Sequence, residues 1–255
     1  MQQLESSRAE RGEVLVTWPD YAADAPGAGA ALREAGLAVR LAPKLGHRSP
    51  DELRELARGA AGAIVSTDPF DADVLERCPE LRVIARVGVG VDSIDLDAAT
   101  ARGVAVTITP GANEVTVADH AVALMLSALR RICMHDAAVR RGEWNRTGEH
   151  TAWLLTGKTV GLVGYGRTGR LVAERLRGFG VRLLVSDPAA AARDDEVELV
   201  ELADLLAAAD VVSLHVPLAP GTRGLIGAEQ LALMRSHTVL VNTSRGASSR
   251  RSSPC

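Results

Sequence analysis

Aromatic residues are scarce in this chain: two Phe, two Tyr and three Trp, 3% of 255 residues. Its core must therefore be built from Ala, Val, Leu and Ile, since hydrophobic residues still reach 47%. Cysteine is equally sparse. The three present, Cys78, Cys133 and Cys255, have neither the paired spacing of a metal site nor the density of a disulfide scaffold. A reduced, cytoplasmic setting is the simplest expectation. Excess positive charge is missing too: 29 basic against 32 acidic residues leave a formal net charge of −3. That excludes the basic field that nucleic acid requires. No long apolar run exists. The longest helical one, AVALMLSAL from Ala121, is too short to span a bilayer. The opening MQQLESSRAERGE lacks the apolar segment of a secretory signal, and the final RRSSPC is no prenylation box because its cysteine comes last. The expectation is a soluble protein with no membrane and no nucleic-acid partner.

What is present is alternation. Short β-branched runs at Glu13, Leu37, Gly62, Arg82 and Val104 are separated by Ala/Leu/Arg-rich segments such as PDELRELARG and DADVLERC. Continuous apolar strands between amphipathic helices point to a parallel sheet covered on both faces. Residues 12–108 thus read as one α/β unit. A long helix is expected from Glu114 to Arg131, followed by a polar connector, HDAAVRRGEWNRTGEHTAW. A second α/β series follows, with strands at Lys158, Val181, Val211 and Thr238 and helices over Arg170–Arg177, Leu202–Ala209 and Ala228–Met234. It occupies residues 109–246.

Within that series a strand runs into Gly164-Tyr165-Gly166-Arg167-Thr168-Gly169 and directly into a helix. The first glycine permits a tight turn and the second lets a pyrophosphate approach the backbone. The third lets helix and strand pack closely, while the helix N-terminus offers unpaired N–H groups and positive dipole. Such a turn alone is weak evidence. The next strand strengthens it by ending at Asp187, 18 residues after Gly169, where a carboxylate can accept from an adenosine ribose. Pro188 follows, so a ribose 2′-phosphate would meet negative charge with no counter-charge, and NAD is favoured over NADP.

Taken in order, ARVGVGVDSIDLDAATARGVAV, TPGANEVTVADHAVALMLSALRRI, GKTVGLVGYGRTGR, VVSLHVPLAPGTRGLIG and VLVNTSRG resemble the D-isomer-specific 2-hydroxyacid dehydrogenases, most closely the phosphoglycerate dehydrogenase-like branch. The resemblance covers about residues 60–246. It implies a flavodoxin-like N-terminal substrate domain plus a Rossmann NAD-binding domain, incomplete here, and hydride transfer between NAD(H) and a small 2-hydroxy or 2-oxo acid. It implies a catalytic, substrate-binding arginine at Arg245. A carboxylate-binding backbone loop is implied at Val87, Gly88, Val89 and Gly90, with Asn113 as a polar residue at the hinge. Cofactor contacts are implied at Val89, Gly164, Gly166, Arg167, Thr168, Gly169, Asp187, Val216, Pro217, Thr222, Thr243, Ser244 and Arg245. A homodimer is implied as well.

The family's proton donor, a histidine tuned by a glutamate, comes after the arginine loop, and the sequence has no matching residues there. His47 and His150 lie in loops outside the matched stretches. His120 and His135 lie on or after the connecting helix, His215 closes the VVSLHV strand where it lines the nucleotide site, and His237 precedes a strand. The expectation is impaired catalysis; the alternative is an inactive NAD-binding protein or a truncated gene product. Residues 247–255, ASSRRSSPC, are expected to be disordered. Loss of one base from a GC-rich Gly-Gly-Leu-Val run would read Gly-Ala-Ser-Ser, as at Gly246–Ser249, so an out-of-frame tail is expected, with a natural short tail as the alternative.

Overall fold

The computed structural model describes residues 12–21, 28–46, 48–190 and 197–249, and its contacts divide the chain between Pro110 and Gly111. His47 and residues 250–255 lie outside the described residues.

The first unit holds five parallel strands: β1 (Glu13–Val16), β2 (Ala38–Leu41), β3 (Ala60–Val65), β4 (Val83–Arg86) and β5 (Ala105–Thr107). Helices α1 (Ala28–Glu34), α2 (Pro50–Ala57), α3 (Ala72–Glu76) and α4 (Leu96–Ala101) connect them. Their order, β2-β1-β3-β4-β5, is the flavodoxin-like winding. Local chemistry fixes where the helices begin. Ser49, Asp71 and Asp95 each accept a hydrogen bond from the N–H three residues on, at 3.2, 2.9 and 2.9 Å. Leu15, Leu53, Phe70, Leu75 and Ile84 are fully buried between the layers.

The second unit opens with α5 (Glu114–Leu129) and α6 (Ile132–Arg140). Arg131 turns the chain between them with φ +51°, the only positive φ at a non-glycine among the described residues. The parallel strands β6 (Thr159–Val163), β7 (Arg182–Ser186), β8 (Glu198–Leu199), β9 (Val211–Leu214) and β10 (Val239–Asn242) alternate with α7 (Arg167–Arg177), α8 (Leu202–Ala208) and α9 (Ala228–Leu233). Their order, β10-β9-β6-β7-β8, is a Rossmann winding that starts at β6 and reverses direction at β9. Side-chain alternation splits the core in two. Val160, Leu162, Val211 and Val241 face α5 and α7 through Met125, Val172 and Leu176, while Val163, Val212 and Leu214 face α8 through Leu205 and Leu206.

Two parts of the sequence reading change here, and the start of the expected tail falls among the described residues. The polar stretch after α5 is not simply a connector, because its first third continues α6 to Arg140. Asp95 caps a short helix, α4, that apolar periodicity did not reveal. Ala247–Ser249, the first part of the tail expected to be disordered, lie among the described residues. Gly246–Ser248 form a 3-10 turn, and the N–H groups of Gly224 and Ile226 donate to Ala247 O (2.8 Å) and Ser248 O (3.1 Å). Ser248 is buried there, with its Oγ near Asn242 Nδ2 and donating to Arg245 O.

Candidate cofactor and substrate site

The residues singled out in the second unit gather at one end of its sheet, beyond the carboxyl ends of β7, β6, β9 and β10. In an open parallel sheet that is where ligands sit. Gly164 leaves β6 with φ +96°, and a Cβ there would lie 2.9 Å from the His215 carbonyl carbon and oxygen. A Cβ on Gly169 would overlap the Gly164 carbonyl oxygen, so α7 packs this close to β6 only because residue 169 has no side chain. Around Gly166, by contrast, the Cβ position is open. Gly166 also stands at the N-cap of α7 with no side-chain cap, leaving the first N–H groups of the helix without that partner. Exposed Arg167 and half-buried Thr168 follow. An open glycine before an uncapped eleven-residue helix has the geometry that suits a diphosphate.

Asp187, just past β7, bends back to this turn. Its Oδ2 accepts from the Tyr165 N–H at 2.7 Å and its Oδ1 from the Ala189 N–H at 2.8 Å. These bonds fix the carboxylate beside the glycine turn and leave further lone pairs for ribose hydroxyls. The donor set therefore fits a dinucleotide. On the other side of β6, Val216 and Pro217 follow β9, and Thr222 closes their loop by donating to Pro217 O (2.5 Å) and accepting from the Ala219 N–H (2.8 Å).

The loop after β10 is held by Asn242, which lies at the strand's end. Its Nδ2, with two hydrogens to donate, lies within hydrogen-bond distance of Arg245 O, Ser248 Oγ and Ser249 Oγ at 2.9, 3.2 and 3.0 Å, and its Oδ1 accepts from the Ser244 N–H and Oγ at 3.0 and 2.8 Å. Arg245 is thus fixed at its backbone, and its Nη1 donates to Ser244 O at 2.9 Å. A cleft of about 400 Å³ runs between Thr116, Val117, His120 and Leu124 of α5 and the Asn242–Gly246 loop. Asn113, the exposed N-cap residue of α5, makes no side-chain capping bond. Next to it buried Glu114 accepts from the Gly111 and Asn113 N–H groups at 2.8 and 3.3 Å. The Gly111 bond above all, then Glu114's own N–H, the Asn113 bond and nearby Arg167 hold its carboxyl below the usual range against the opposing effect of burial. Arg167 Nη1 stands 3.9 Å from it.

In the first unit, Val87–Gly90 follow β4. Two of the four N–H groups are already committed: Val87 donates to Val65 O (2.8 Å) and Gly88 to Thr109 Oγ1 (2.8 Å). Val89 and Gly90 make no N–H bond among the described residues, so they are the donors this loop can offer a carboxylate.

Tyr165, Glu114 and the commitment of Gly88 escaped the sequence reading. The first is a backbone contact that any residue type could make, and the others depend on tertiary partners. Among the described residues no group of three or more His, Cys, Asp or Glu side chains could hold a metal ion, and no helix is long and apolar enough to cross a membrane.

Comparison with known proteins follows the same lines. Residues 122–252 match the family model for the D-isomer specific 2-hydroxyacid dehydrogenase NAD binding domain. The chain is 45% identical to a D-3-phosphoglycerate dehydrogenase of Mycobacterium bovis over 184 residues, 71% of this chain and 35% of that protein. It is 47% identical to a glyoxylate reductase of Korarchaeum cryptofilum over 195 residues, 72% of this chain and 58% of that one. The chain therefore spans about a third of the length of the first and less than two thirds of the second. An NAD-dependent formate dehydrogenase from Staphylococcus aureus, solved in complex with NAD, superposes with a TM-score of 0.81 at 30% identity, covering 94% of this chain and 75% of that one.

Proposed function

Because the chain belongs to the D-isomer specific 2-hydroxyacid dehydrogenase family, we propose that it serves hydride transfer between NAD(H) and a small 2-hydroxy or 2-oxo acid. Its cofactor is NAD. The observation that carries the reading is the pairing of Asp187 with the glycine turn, beside an uncapped helix N-terminus and an open Gly166. Bound NAD(H) supplies or accepts the hydride.

Each of this chain's groups has a task in that chemistry. Asp187 accepts from the adenosine ribose hydroxyls and repels a 2′-phosphate, so NADH is preferred to NADPH. Gly166, Arg167, Thr168 and Gly169 receive the diphosphate, and Val216, Pro217, Thr222, Thr243 and Ser244 line the rest of the cofactor's path. Arg245 forks onto the acid's carboxylate and carbonyl oxygens and polarises the carbon that exchanges hydride. The backbone of Val87–Gly90, through the Val89 and Gly90 N–H groups, suits a carboxylate, and exposed Asn113 is a further polar contact for the acid.

For proton transfer, the described residues offer little at the cofactor end. The contact of His237 Nε2 with Asp210 Oδ1 at 3.2 Å lies at the amino end of β10, opposite the cofactor end. His120 lines the α5 cleft without a carboxylate bonded to it among the described residues. We therefore infer binding with impaired turnover. A positioned acid–base is worth about 10²–10⁴ in rate. In stopped-flow assays the protein should bind NADH yet reduce hydroxypyruvate or glyoxylate far below an ordinary enzyme's roughly 10 s⁻¹. Turnover at that ordinary rate would overturn the impairment, and failure to bind NADH would overturn the function.

A homodimer and a cytoplasmic setting complete the reading. Leu124, Ile132, Val139 and Leu154, exposed along α5, α6 and the following loop, support the first. The free thiols of Cys78 and Cys133 support the second.

A further inference from the structure

At the amino ends of β6, β9 and β10, three basic side chains crowd one carboxylate. Asp210 stands before β9, Lys158 before β6, and Arg235 and His237 before β10. Asp210 Oδ2 is committed to the Thr159 N–H at 2.9 Å. The other oxygen, Oδ1, is shared: His237 Nε2 lies at 3.2 Å, Arg235 Nη1 at 3.6 Å and Lys158 Nζ at 3.8 Å. Only the first is close enough for a hydrogen bond. Among the described residues Lys158 Nζ makes no hydrogen bond, and the guanidinium of Arg235 makes one, from Nε to Ala207 O at 3.2 Å. The three N–H groups of the ammonium and both NH2 groups of the guanidinium therefore remain to be met.

Charge points the same way. Asp210 offsets one of two fixed positive charges, and His237 adds a third whenever it is protonated. Gathering like charges around one oxygen is unfavourable unless something negative joins them. Solvent alone gives no reason to gather them, since each would be hydrated as well apart. Two are also held in place. Arg235 is anchored by its bond to Ala207 O, and Lys158 Nζ lies 5.9 Å from the Trp153 ring, which packs edge-on against His237. The group opens to solvent, with Lys158, His237 and Arg235 about a third to a half exposed. It lies opposite the glycine turn and Asp187, which follow the carboxyl ends of β6 and β7. The dinucleotide reading makes no use of it.

We propose that Lys158, Arg235 and His237 form a second anion site, at the amino end of the Rossmann sheet, that takes a phosphate group, free or as a monoester. The donors select that chemistry. An ammonium, a guanidinium fork and an imidazole come from separate segments, and a phosphate has three or more oxygens to meet them. A carboxylate has two, set on one carbon, and leaves one donor unmet. Bound there, the phosphate ties the segments leading into β6 and β10 together, as Asp210 already ties β6 to β9.

The test titrates the full chain with inorganic phosphate, against sodium chloride at matched ionic strength. Calorimetry should show saturable phosphate binding with a Kd on the order of 1 mM. Lys158→Met and Arg235→Gln should each weaken it about 10-fold or more, as expected for hydrogen bonds to a charged group, and Lys158→Arg should retain it. Wild-type affinity in both of the first two variants overturns the proposal, because the phosphate is then held elsewhere, the glycine turn included. A response that chloride reproduces overturns it too, as screening alone. A second measurement needs no variant. In wild-type protein phosphate should move the ring ¹⁵N resonances of His237, and chloride should leave them in place; no movement at saturating phosphate is equally fatal. Methyl phosphate, run in parallel, separates the sources. Binding as tight as that of inorganic phosphate supports an esterified ligand, and binding that is lost supports free phosphate.

Discussion

Asp187 accepts the Tyr165 N–H that shapes the glycine turn, and the proposed function gives the same carboxylate a second role, accepting from ribose hydroxyls. Removing it should therefore weaken NADH for two reasons but weaken NADPH much less, since the repulsion of the 2′-phosphate disappears as well. Asp187→Ala should lose roughly 10-fold or more in NADH affinity, as expected for bonds to a charged group, and lose the preference over NADPH. Parallel fluorescence titrations would decide it, and a retained preference would remove Asp187 from the discriminating role. His215 gives a residue-scale prediction of another kind. Its folded pKa lies below its unfolded value of 6.5, so the unfolded chain takes up the proton first as pH falls. The stability tied to its neutral form is complete above pH 6.5 and is lost between there and about pH 4, by roughly 3 kcal/mol at most. His215→Phe should flatten that part of a urea-melt pH profile; a profile identical to wild type would contradict it.

Among elements, the amino ends of β6, β9 and β10 are tied by one side chain. Asp210 Oδ2 accepts the Thr159 N–H at 2.9 Å, while Oδ1 meets His237 at 3.2 Å, Arg235 at 3.6 Å and Lys158 at 3.8 Å. Burial raises its pKa, but those partners together outweigh burial and hold it below the usual aspartate value. Its contribution is present above the unfolded pKa of 3.8 and is lost as pH falls through the lower folded value. Asp210→Ala should cost about 1–3 kcal/mol at pH 7 by urea melts, with the gap to wild type closing in strong acid. The elements differ in how openly the chain declared them. β1, β3, β6 and β9 were legible because both faces of a parallel sheet are covered, which writes an unbroken apolar run. α6 was not, since HDAAVRR carries too few apolar residues to mark a face, and β8 is only two residues long. The glycine turn and Asp187 were legible because their chemistry demands particular residue types at particular spacing. His215 drew notice only as a residue near the nucleotide, because the burial of its ring comes from neighbouring elements and no local pattern encodes it.

At the scale of the whole chain, two units with separate cores should answer the cofactor differently. A ligand that binds only the folded form stabilises what it touches by mass action, about 2.7 kcal/mol at a hundred times its Kd. Hydrogen exchange with saturating NADH should therefore slow most in β6, β7, β9 and the start of α7, and least in α2, α3 and β1–β3. Equal protection of both units would show that they open as one. The second unit also carries a reporter for such work. Trp153 packs edge-on against His237 with ring centroids 5.5 Å apart, and Lys158 Nζ lies 5.9 Å from its ring, which fixes the indole at the amino ends of β6 and β10. The cofactor end of the sheet lies one strand away, about 16 Å for the five residues of β6. Reduced nicotinamide absorbs where indole emits, so the fold holds an optical donor at a set distance from its acceptor. Light absorbed by Trp153 should emerge as nicotinamide fluorescence when NADH is bound, and remain indole fluorescence when the oxidised cofactor takes its place.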